Sequence, residues 1–241
     1  MDNLNIDLMH PRDQIVKIIS RIYRSGMTTT SGGNVSIIDE AGDIWITPSG
    51  IDKGNLRAED INCVKADGTI LGPHKPSSEF PFHRAIYRIR PDLKSIIHAH
   101  PPALVSFSIA RVIPDTNVIP QAKYICGPIG YASYALPGSE ELGQKIADEF
   151  ARDFSAVIME NHGTVVGGSD MKDAFQRFET LEFCARTIIN AKTIGKVKTL
   201  TDEQIDAFEA QIPVLQPQMA HVEHPSDERE KREEITRIVR R

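Results

Sequence analysis

The chain has 241 residues, of which 40% are hydrophobic and 25% are charged, as is ordinary for a globular protein. Its net charge of −5 gives no electrostatic basis for binding nucleic acid. The sequence has no apolar run near the ~20 residues that cross a membrane, and its first nine residues do not resemble a secretory signal. We therefore expect a cytoplasmic protein that binds neither nucleic acid nor membranes.

The three cysteines support an intracellular location. Cys63, Cys126 and Cys184 are odd in number, widely spaced and outside any Cys-x-x-Cys pair. We expect three free, buried thiols, because a disulfide framework or a thiolate metal site needs closer or paired cysteines.

The first third of the chain predicts one helix followed by short strands. Apolar residues recur at helical spacing over 11–25, and Gly26 follows as a stop signal. Alternating apolar residues and Gly- or Pro-containing turns follow, including the turn signal Asp67-Gly68. We expect strands at four places: 35–38, 44–47, 61–65 and 69–71.

Three segments of small residues separate these elements. They are Thr28–Ser36, Pro48–Gly50 and Ser77-Ser78 before a helix that extends to about Ile89. Ser77 or Ser78 is a natural N-cap for that helix, which is the simpler interpretation. Small residues and a helix N-terminus also suit an anion, because free backbone N–H groups and hydroxyls can surround a phosphate.

The segment Ser95–His100 predicts a short buried strand that ends at Pro101-Pro102. Residues two apart in a strand share a face, so His98 and His100 project together, about 7 Å apart at their Cα atoms. His162 follows another buried strand, 155–159, and is the candidate third ligand of a metal site.

The remaining elements are assigned from periodicity and breaking residues. We expect helices at 103–110, 138–150 and 170–194, the last capped by Ser169, with a strand region at 118–126 and a loop at 127–131. A short helix at 201–210, a proline-rich linker at 212–225 and a charged helix at 226–241 complete the chain. The expected domains are 1–197 and a helical, charged tail at 198–241. We do not expect His221 and His224 of that polar tail to bind metal.

Five motifs occur in the order found in the class II aldolase/adducin family, and the chain resembles most the L-fuculose-1-phosphate aldolases of that family. The resemblance covers roughly residues 11 to 195, and its motifs are as follows: Thr30-Ser-Gly-Gly-Asn-Val-Ser36, Thr47-Pro-Ser-Gly-Ile51, Lys75-Pro-Ser-Ser-Glu79, His98-Ala-His-Pro-Pro102 and Asn161-His-Gly163.

The resemblance implies an α/β fold, a three-layer α/β/α sandwich around a central, largely antiparallel sheet, assembled as a homotetramer with active sites at subunit interfaces. It implies one Zn²⁺ per subunit, with Mn²⁺ or Co²⁺ as alternatives, bound by His98, His100 and His162. Glu79 matches the catalytic carboxylate and also a metal ligand, and Tyr124 matches a catalytic tyrosine from the neighbouring subunit. The family's C-terminal tyrosine has no counterpart after Gly195. The implied phosphate site consists of Asn34, Ser49, Gly50, Ser77 and Ser78.

The expected activity is reversible cleavage of a sugar-derived ketose 1-phosphate, such as L-fuculose 1-phosphate, to dihydroxyacetone phosphate and an aldehyde. A methylthioribulose-1-phosphate dehydratase and a pentulose-phosphate 4-epimerase share the fold and stay open as alternatives. The epimerases typically have Asp at the position of Glu79, which favours the aldolase. Adducin-like cytoskeletal modules lack the three histidines that are present here.

Overall fold

One eight-stranded sheet runs through the computed structural model, which describes residues 6–212. Its strands are β1 Asn34–Ile38, β2 Ile44–Ile46, β3 Asn62–Val64, β4 Ile70–Leu71, β5 Ser95–Ala99, β6 Ile129–Ala132, β7 Ala156–Met159 and β8 Gly163–Gly168. The spatial order is β4-β3-β2-β1-β5-β8-β7-β6. Every neighbouring pair is antiparallel except β6 and β7, so the predicted α/β fold with a largely antiparallel sheet is confirmed.

Helices cover both faces of this sheet. They are α1 Pro11–Arg24, α2 Phe80–Ile89, α3 Pro102–Ala110, α4 Pro120–Cys126, α5 Glu140–Ala151 and α6 Met171–Ile194. Short 3₁₀ turns lie at Ile6–Leu8, Ala58–Asp60 and Thr116–Val118. The arrangement is the predicted three-layer sandwich.

Two hydrophobic cores lie on opposite faces of the sheet. The apolar sides of α1, α3, α4 and α6 pack on one face, against residues such as Ile97 and Ala99 of β5. The apolar sides of α2 and α5 pack on the other face, against Ile96. Because side chains alternate along a strand, His98 lies on the α2 face, where its ring meets the edge of Phe82 at 5.8 Å between centroids.

A second unit begins at Thr201. Its described part is one helix, α7 Asp202–Glu209, whose N-terminus carries a capping box between Thr201 and Gln204. The first unit ends at Leu200. The predicted charged helix at 226–241 and His221 and His224 lie outside the described residues, as does the predicted linker apart from residue 212.

The sequence assignments of two neighbouring segments were wrong. The predicted strand region 118–126 is mostly the helix α4, in which Pro120 is the first residue and needs no backbone donor. Gly127, with φ of +61°, follows that helix as its C-cap. The predicted loop at 127–131 contains β6, which lies at the edge of the described sheet and pairs with β7. Local sequence is a weak guide to such a strand, because its pairing partner lies far along the chain.

Smaller corrections concern three element ends. Asp170, not Ser169, is the N-cap of α6, since its carboxylate accepts a hydrogen bond from the backbone N–H of Asp173 at 2.6 Å. Neither Ser77 nor Ser78 is the N-cap of α2, because Glu79 occupies that position. Strand β5 ends one residue before His100. The three cysteines are free and buried, as predicted.

Candidate metal centre and adjoining cavity

Two of the predicted metal ligands, His98 and His100, lie at the end of β5, in the middle of the sheet. That strand lies between β1 and β8, so His98 is fully buried, with Asn34 opposite it on one side and Val165 on the other. His100 follows the last residue of β5, and the centroids of the two imidazole rings are 4.9 Å apart. The alternation of side chains predicted from the His-Ala-His sequence therefore holds in three dimensions.

The third histidine comes from the turn that joins β7 to β8. Asn161 in this turn has a left-handed backbone with φ of +54°, which asparagine adopts more readily than most residues. The ring centroid of His162 lies 5.0 Å from those of both His98 and His100. One nitrogen from each ring lies within 4.8 Å of the others, so this cluster could bind a metal ion.

Two glycines allow the chain to pass close behind these rings. A Cβ on Gly163 would lie 2.4 Å from the Ala99 carbonyl oxygen and 2.8 Å from Cδ2 of His100. Gly33 has φ of +75°, and a Cβ there would lie 2.9 Å from the His98 carbonyl oxygen. Both positions therefore exclude larger residues for steric reasons that the sequence alone does not reveal.

The donor set fits a metal ion. The Thr164 carbonyl lies 3.0 Å from Nδ1 of His98, so that nitrogen carries a proton and Nε2 is the nitrogen that could bind a metal ion. This Nε2 lies 3.1 Å from Nε2 of His100 and 3.1 Å from Oε2 of Glu79. Two imidazole nitrogens and a carboxylate this close repel one another unless a proton or a metal cation lies among them.

Glu79 occupies the N-cap position of α2, yet its carboxylate faces the histidines and makes no capping bond. Its Oε2 accepts a hydrogen bond from Nδ2 of Asn34 at 2.7 Å, and its Oε1 lies 3.7 Å from Nε2 of His162. Within residues 6–212, the buried Oε1 has no hydrogen-bond partner. Burial alone would raise the pKa of Glu79, but His98, Asn34 and His162 lower it well below its usual range.

Burial keeps two of the three rings neutral and therefore able to coordinate. Burial, together with the smaller effect of the neighbouring His98, lowers the pKa of His100 to about 3 and that of His162 to about 4. Burial would also lower the pKa of His98, but the adjacent Glu79 carboxylate raises it above its ordinary value. A metal ion would replace the proton that this carboxylate attracts.

A polar cavity of about 100 Å³ adjoins the cluster. It contains all five residues predicted to bind phosphate, and it extends to Glu79 and His100. Its lining consists of Ser31, Gly32, Gly33, Asn34, Pro48, Ser49, Gly50, Lys53, Ser77, Ser78, Glu79 and His100. The structure thus brings the candidate phosphate residues and the candidate metal ligands into one continuous site.

Lys53 is a residue of this cavity that sequence reasoning missed. Its side chain is 3% exposed, and its ammonium group donates hydrogen bonds to the carbonyls of Pro48 and Ile51, both at 3.0 Å. Burial lowers its pKa from the ordinary value for lysine. The available signal was a lysine two residues after the Thr47–Ile51 motif, but surface lysines are common and its burial could not be read from the sequence.

Tyr124 and a second cavity lie apart from this site. Tyr124 is on α4, is 39% exposed, and is not among the residues lining the polar cavity. A larger, half-open cavity of about 510 Å³ lies beside Phe80 and Arg84 of α2 and contains none of the three histidines. No helix within residues 6–212 is long and apolar enough to span a bilayer.

Comparison with known proteins finds a matching family and several relatives with named activities. The family described as "Class II Aldolase and Adducin N-terminal domain" matches residues 13–189. A 5-deoxy-D-ribulose 1-phosphate aldolase from Bacillus thuringiensis is 33% identical over 206 residues, which is 83% of this chain and 93% of that protein. A 3-oxo-tetronate 4-phosphate decarboxylase from Escherichia coli is 34% identical over 181 residues, 73% of this chain and 85% of that protein.

A solved structure supports the same relationship. A crystallised L-fuculose 1-phosphate aldolase superimposes with a TM-score of 0.74 at 28% identity, and the alignment covers 86% of this chain and 99% of that one.

Proposed function

Because the chain belongs to the class II aldolase and adducin family, we propose that it is a metal-dependent aldolase. Its substrate would be a ketose 1-phosphate, cleaved reversibly to dihydroxyacetone phosphate and an aldehyde. The observation that carries the proposal is the continuity between the three-histidine cluster and the cavity of small polar residues, joined by Glu79 and His100. L-Fuculose, L-rhamnulose, ribulose and 5-deoxypentulose 1-phosphates are the substrates to compare.

The cavity supports a phosphate group at one end of the substrate. Ser49 and Ser78 line the cavity, and their hydroxyls can donate hydrogen bonds to an anion. Lys53 adds a positive charge that lies in no ion pair among residues 6–212. A phosphate held there would fix the reacting carbons relative to the histidines, which is the entropic contribution of such a site.

The residues that would hold the metal are His98, His100 and His162, with Glu79 beside them. We propose Zn²⁺, since three neutral imidazoles leave its double charge uncompensated and a coordination position open. Mn²⁺ and Co²⁺ are alternatives because imidazole binds all three ions. When bound, such an ion polarises the substrate carbonyl and stabilises the negative charge that develops as the carbon–carbon bond breaks.

Glu79 is the proposed proton carrier. Its carboxylate is ionised, 9% exposed, and lies at the junction of the metal cluster and the cavity. Oε2 is held by Asn34, whereas Oε1 has no hydrogen-bond partner within residues 6–212. Oε1 is therefore the oxygen available to take a proton from the substrate and to return it to carbon.

The proposed assembly is a homotetramer with its active sites at subunit interfaces. Tyr124 would then complete the site of a neighbouring subunit, where its phenol could serve as a further proton donor. Its partial exposure and its position away from the cavity of its own subunit support this role.

A second candidate reaction follows from the Escherichia coli relative, a 3-oxo-tetronate 4-phosphate decarboxylase. In a 3-oxo acid of that kind, the bond to the carboxylate lies at the position equivalent to the bond an aldolase breaks. Loss of CO₂ from it and retro-aldol cleavage of a ketose 1-phosphate both leave the enediol of dihydroxyacetone phosphate. The same cavity and the same carboxylate would therefore serve either reaction, and the two differ in the fragment released.

The decisive experiment measures both fragments. Purified, Zn²⁺-loaded protein is incubated with a panel of ketose 1-phosphates and with a 3-oxo acid 4-phosphate, with and without EDTA. Chelator-sensitive formation of dihydroxyacetone phosphate with an equal amount of aldehyde supports the aldolase. Formation with CO₂ supports the decarboxylase. A product that retains all its carbons indicates the dehydratase or the epimerase and refutes both cleavage reactions.

A further inference from the structure

A buried chain of hydrogen bonds runs from α2 to the carboxylate of Glu79. The hydroxyls of Tyr87 and Ser36 lie 2.8 Å apart, and the Ser36 hydroxyl lies 2.7 Å from Nδ1 of His83. Nε2 of His83 is hydrogen-bonded to Oδ1 of Asn34, and Nδ2 of Asn34 lies 2.7 Å from Oε2 of Glu79. All five side chains are buried, and those of His83 and Ser36 are fully so.

The position of every proton in this series of hydrogen bonds follows from the charge of Glu79, at its end. An ionised carboxylate only accepts, so Asn34 must turn its NH₂ group toward Glu79 and its carbonyl oxygen toward His83. That oxygen also only accepts, so Nε2 of His83 carries the proton. Nδ1 of the neutral imidazole is then an acceptor. The Ser36 hydroxyl therefore donates to Nδ1, and the Ser36 oxygen accepts a hydrogen bond from the Tyr87 hydroxyl.

The surroundings of His83 support this assignment. Its ring stacks on Phe82 with centroids 4.6 Å apart, and burial together with the charge on His98 lowers its pKa to about 3. A neutral imidazole offers one donor and one acceptor on opposite sides of a rigid ring. That combination is what the carbonyl of Asn34 and the hydroxyl of Ser36 require on either side of it.

We infer that His83 is a positioning residue for Glu79: as the neutral Nε2–H tautomer, it holds the Asn34 amide in the orientation that offers an N–H to the carboxylate. Without this bond the amide could rotate and turn its oxygen toward Glu79, which would repel the carboxylate from its place beside His98. The catalytic consequence rests on the proposed function, whereas the effect on the orientation of Asn34 does not.

The test compares His83→Phe with His83→Gln in the metal-loaded enzyme. Phenylalanine fills the space but offers no donor, and we expect kcat to fall about 10- to 100-fold, with KM changed less than about threefold and metal content unchanged. Glutamine can place an N–H near the position of Nε2, so it should recover most of the lost kcat. Equal kcat in the wild type and His83→Phe would overturn the inference.

Tyr87→Phe and Ser36→Ala are the controls, because they remove one and two buried hydrogen bonds, respectively, at positions farther from Glu79. A positioning role predicts that the loss of kcat decreases from the His83 variant to the Ser36 variant to the Tyr87 variant, with Tyr87→Phe within about twofold of the wild type. A merely structural role predicts losses that follow thermal stability in all these variants. Losses of kcat that follow stability would contradict the inference.

A crystal structure of His83→Phe gives a readout that does not depend on activity. We expect the Asn34 amide to be rotated and the Glu79 carboxylate to be displaced from Nε2 of His98. Unchanged positions of both side chains would refute the inference even if activity were lost. If the wild-type enzyme cleaves none of the tested substrates, the proposed function fails, and this structural comparison still decides the role of His83.

Discussion

Replacing Gly163 with alanine should weaken metal binding through a single methyl group. The new Cβ would lie 2.4 Å from the Ala99 carbonyl oxygen, where β5 and β8 are paired, and 2.8 Å from Cδ2 of His100. The first contact is with backbone, which cannot move without disturbing the sheet, and the second is with a candidate ligand. The φ of Gly163 lies outside the left-handed region, so the cost is steric and not conformational.

The size of the effect follows from the cost of overpacking a tightly packed site, about 1–3 kcal/mol. If the displacement of His100 relieves this strain, the affinity for Zn²⁺ should fall roughly 5- to 150-fold. If the separation of β5 from β8 relieves it, the metal-free protein should instead lose about 1–3 kcal/mol of its free energy of unfolding.

The assay therefore measures both quantities. Titration of the metal-free protein against a competing chelator gives the metal affinity, and urea unfolding gives the free energy of unfolding. Gly143→Ala is the matched control, because Gly143 lies inside α5 and its added Cβ would meet Phe82 at an ordinary 3.7 Å. That change should raise stability by about 0.5–1 kcal/mol. Wild-type affinity and wild-type stability in Gly163→Ala would refute the steric argument.

Three further predictions concern the charged and titrating groups of the site. Glu79→Gln should reduce cleavage by about 10²- to 10⁴-fold with metal retained, as measured by initial rates and metal analysis, and undiminished cleavage would remove this carboxylate from the mechanism. Lys53→Met should raise KM for phosphorylated substrates about 10- to 100-fold, and an unchanged KM would exclude Lys53 from phosphate binding. Unfolded histidines bind protons below about pH 6.5, whereas the folded pKa values of His83, His100 and His162 are about 3, 3 and 4, so the metal-free protein should lose stability as pH falls from 6 to 5. His83→Phe should reduce that slope of unfolding free energy by about 1.4 kcal/mol per pH unit, and an unchanged slope would show that His83 is not neutral in the folded protein.

The sequence was sufficient for the parts of the site that lie on regular or short-range structure. The spacing of His98 and His100 on a strand predicted that both rings would project to one side, and the structure places them there. The small-residue segments around Ser49 and Ser77 predicted an anion site; the structure places both segments along one cavity, and anion binding there stays a prediction. In each case a local rule, strand alternation or the presence of small residues, determines the result.

The sequence was insufficient where a distant partner decides the structure. Strand β6 is half-buried at the edge of the sheet and exists through its parallel pairing with β7, which lies about 27 residues farther along the chain. Helix α4 was predicted as a strand because it is short and its apolar residues give a weak periodic signal, and Pro120 at its first position was the cue that would have corrected this.

The sequence by itself determined which groups are available for chemistry here: three histidines, a glutamate and two segments of small residues, in the order found in the class II aldolase and adducin family. Only the tertiary structure decided how these groups control one another. It buried Lys53 beneath the cavity, placed Gly163 against His100, and linked His83 through Asn34 to Glu79. The physical reason is that burial, close approach and proton position depend on contacts between strands and helices far apart in sequence, which no local pattern encodes.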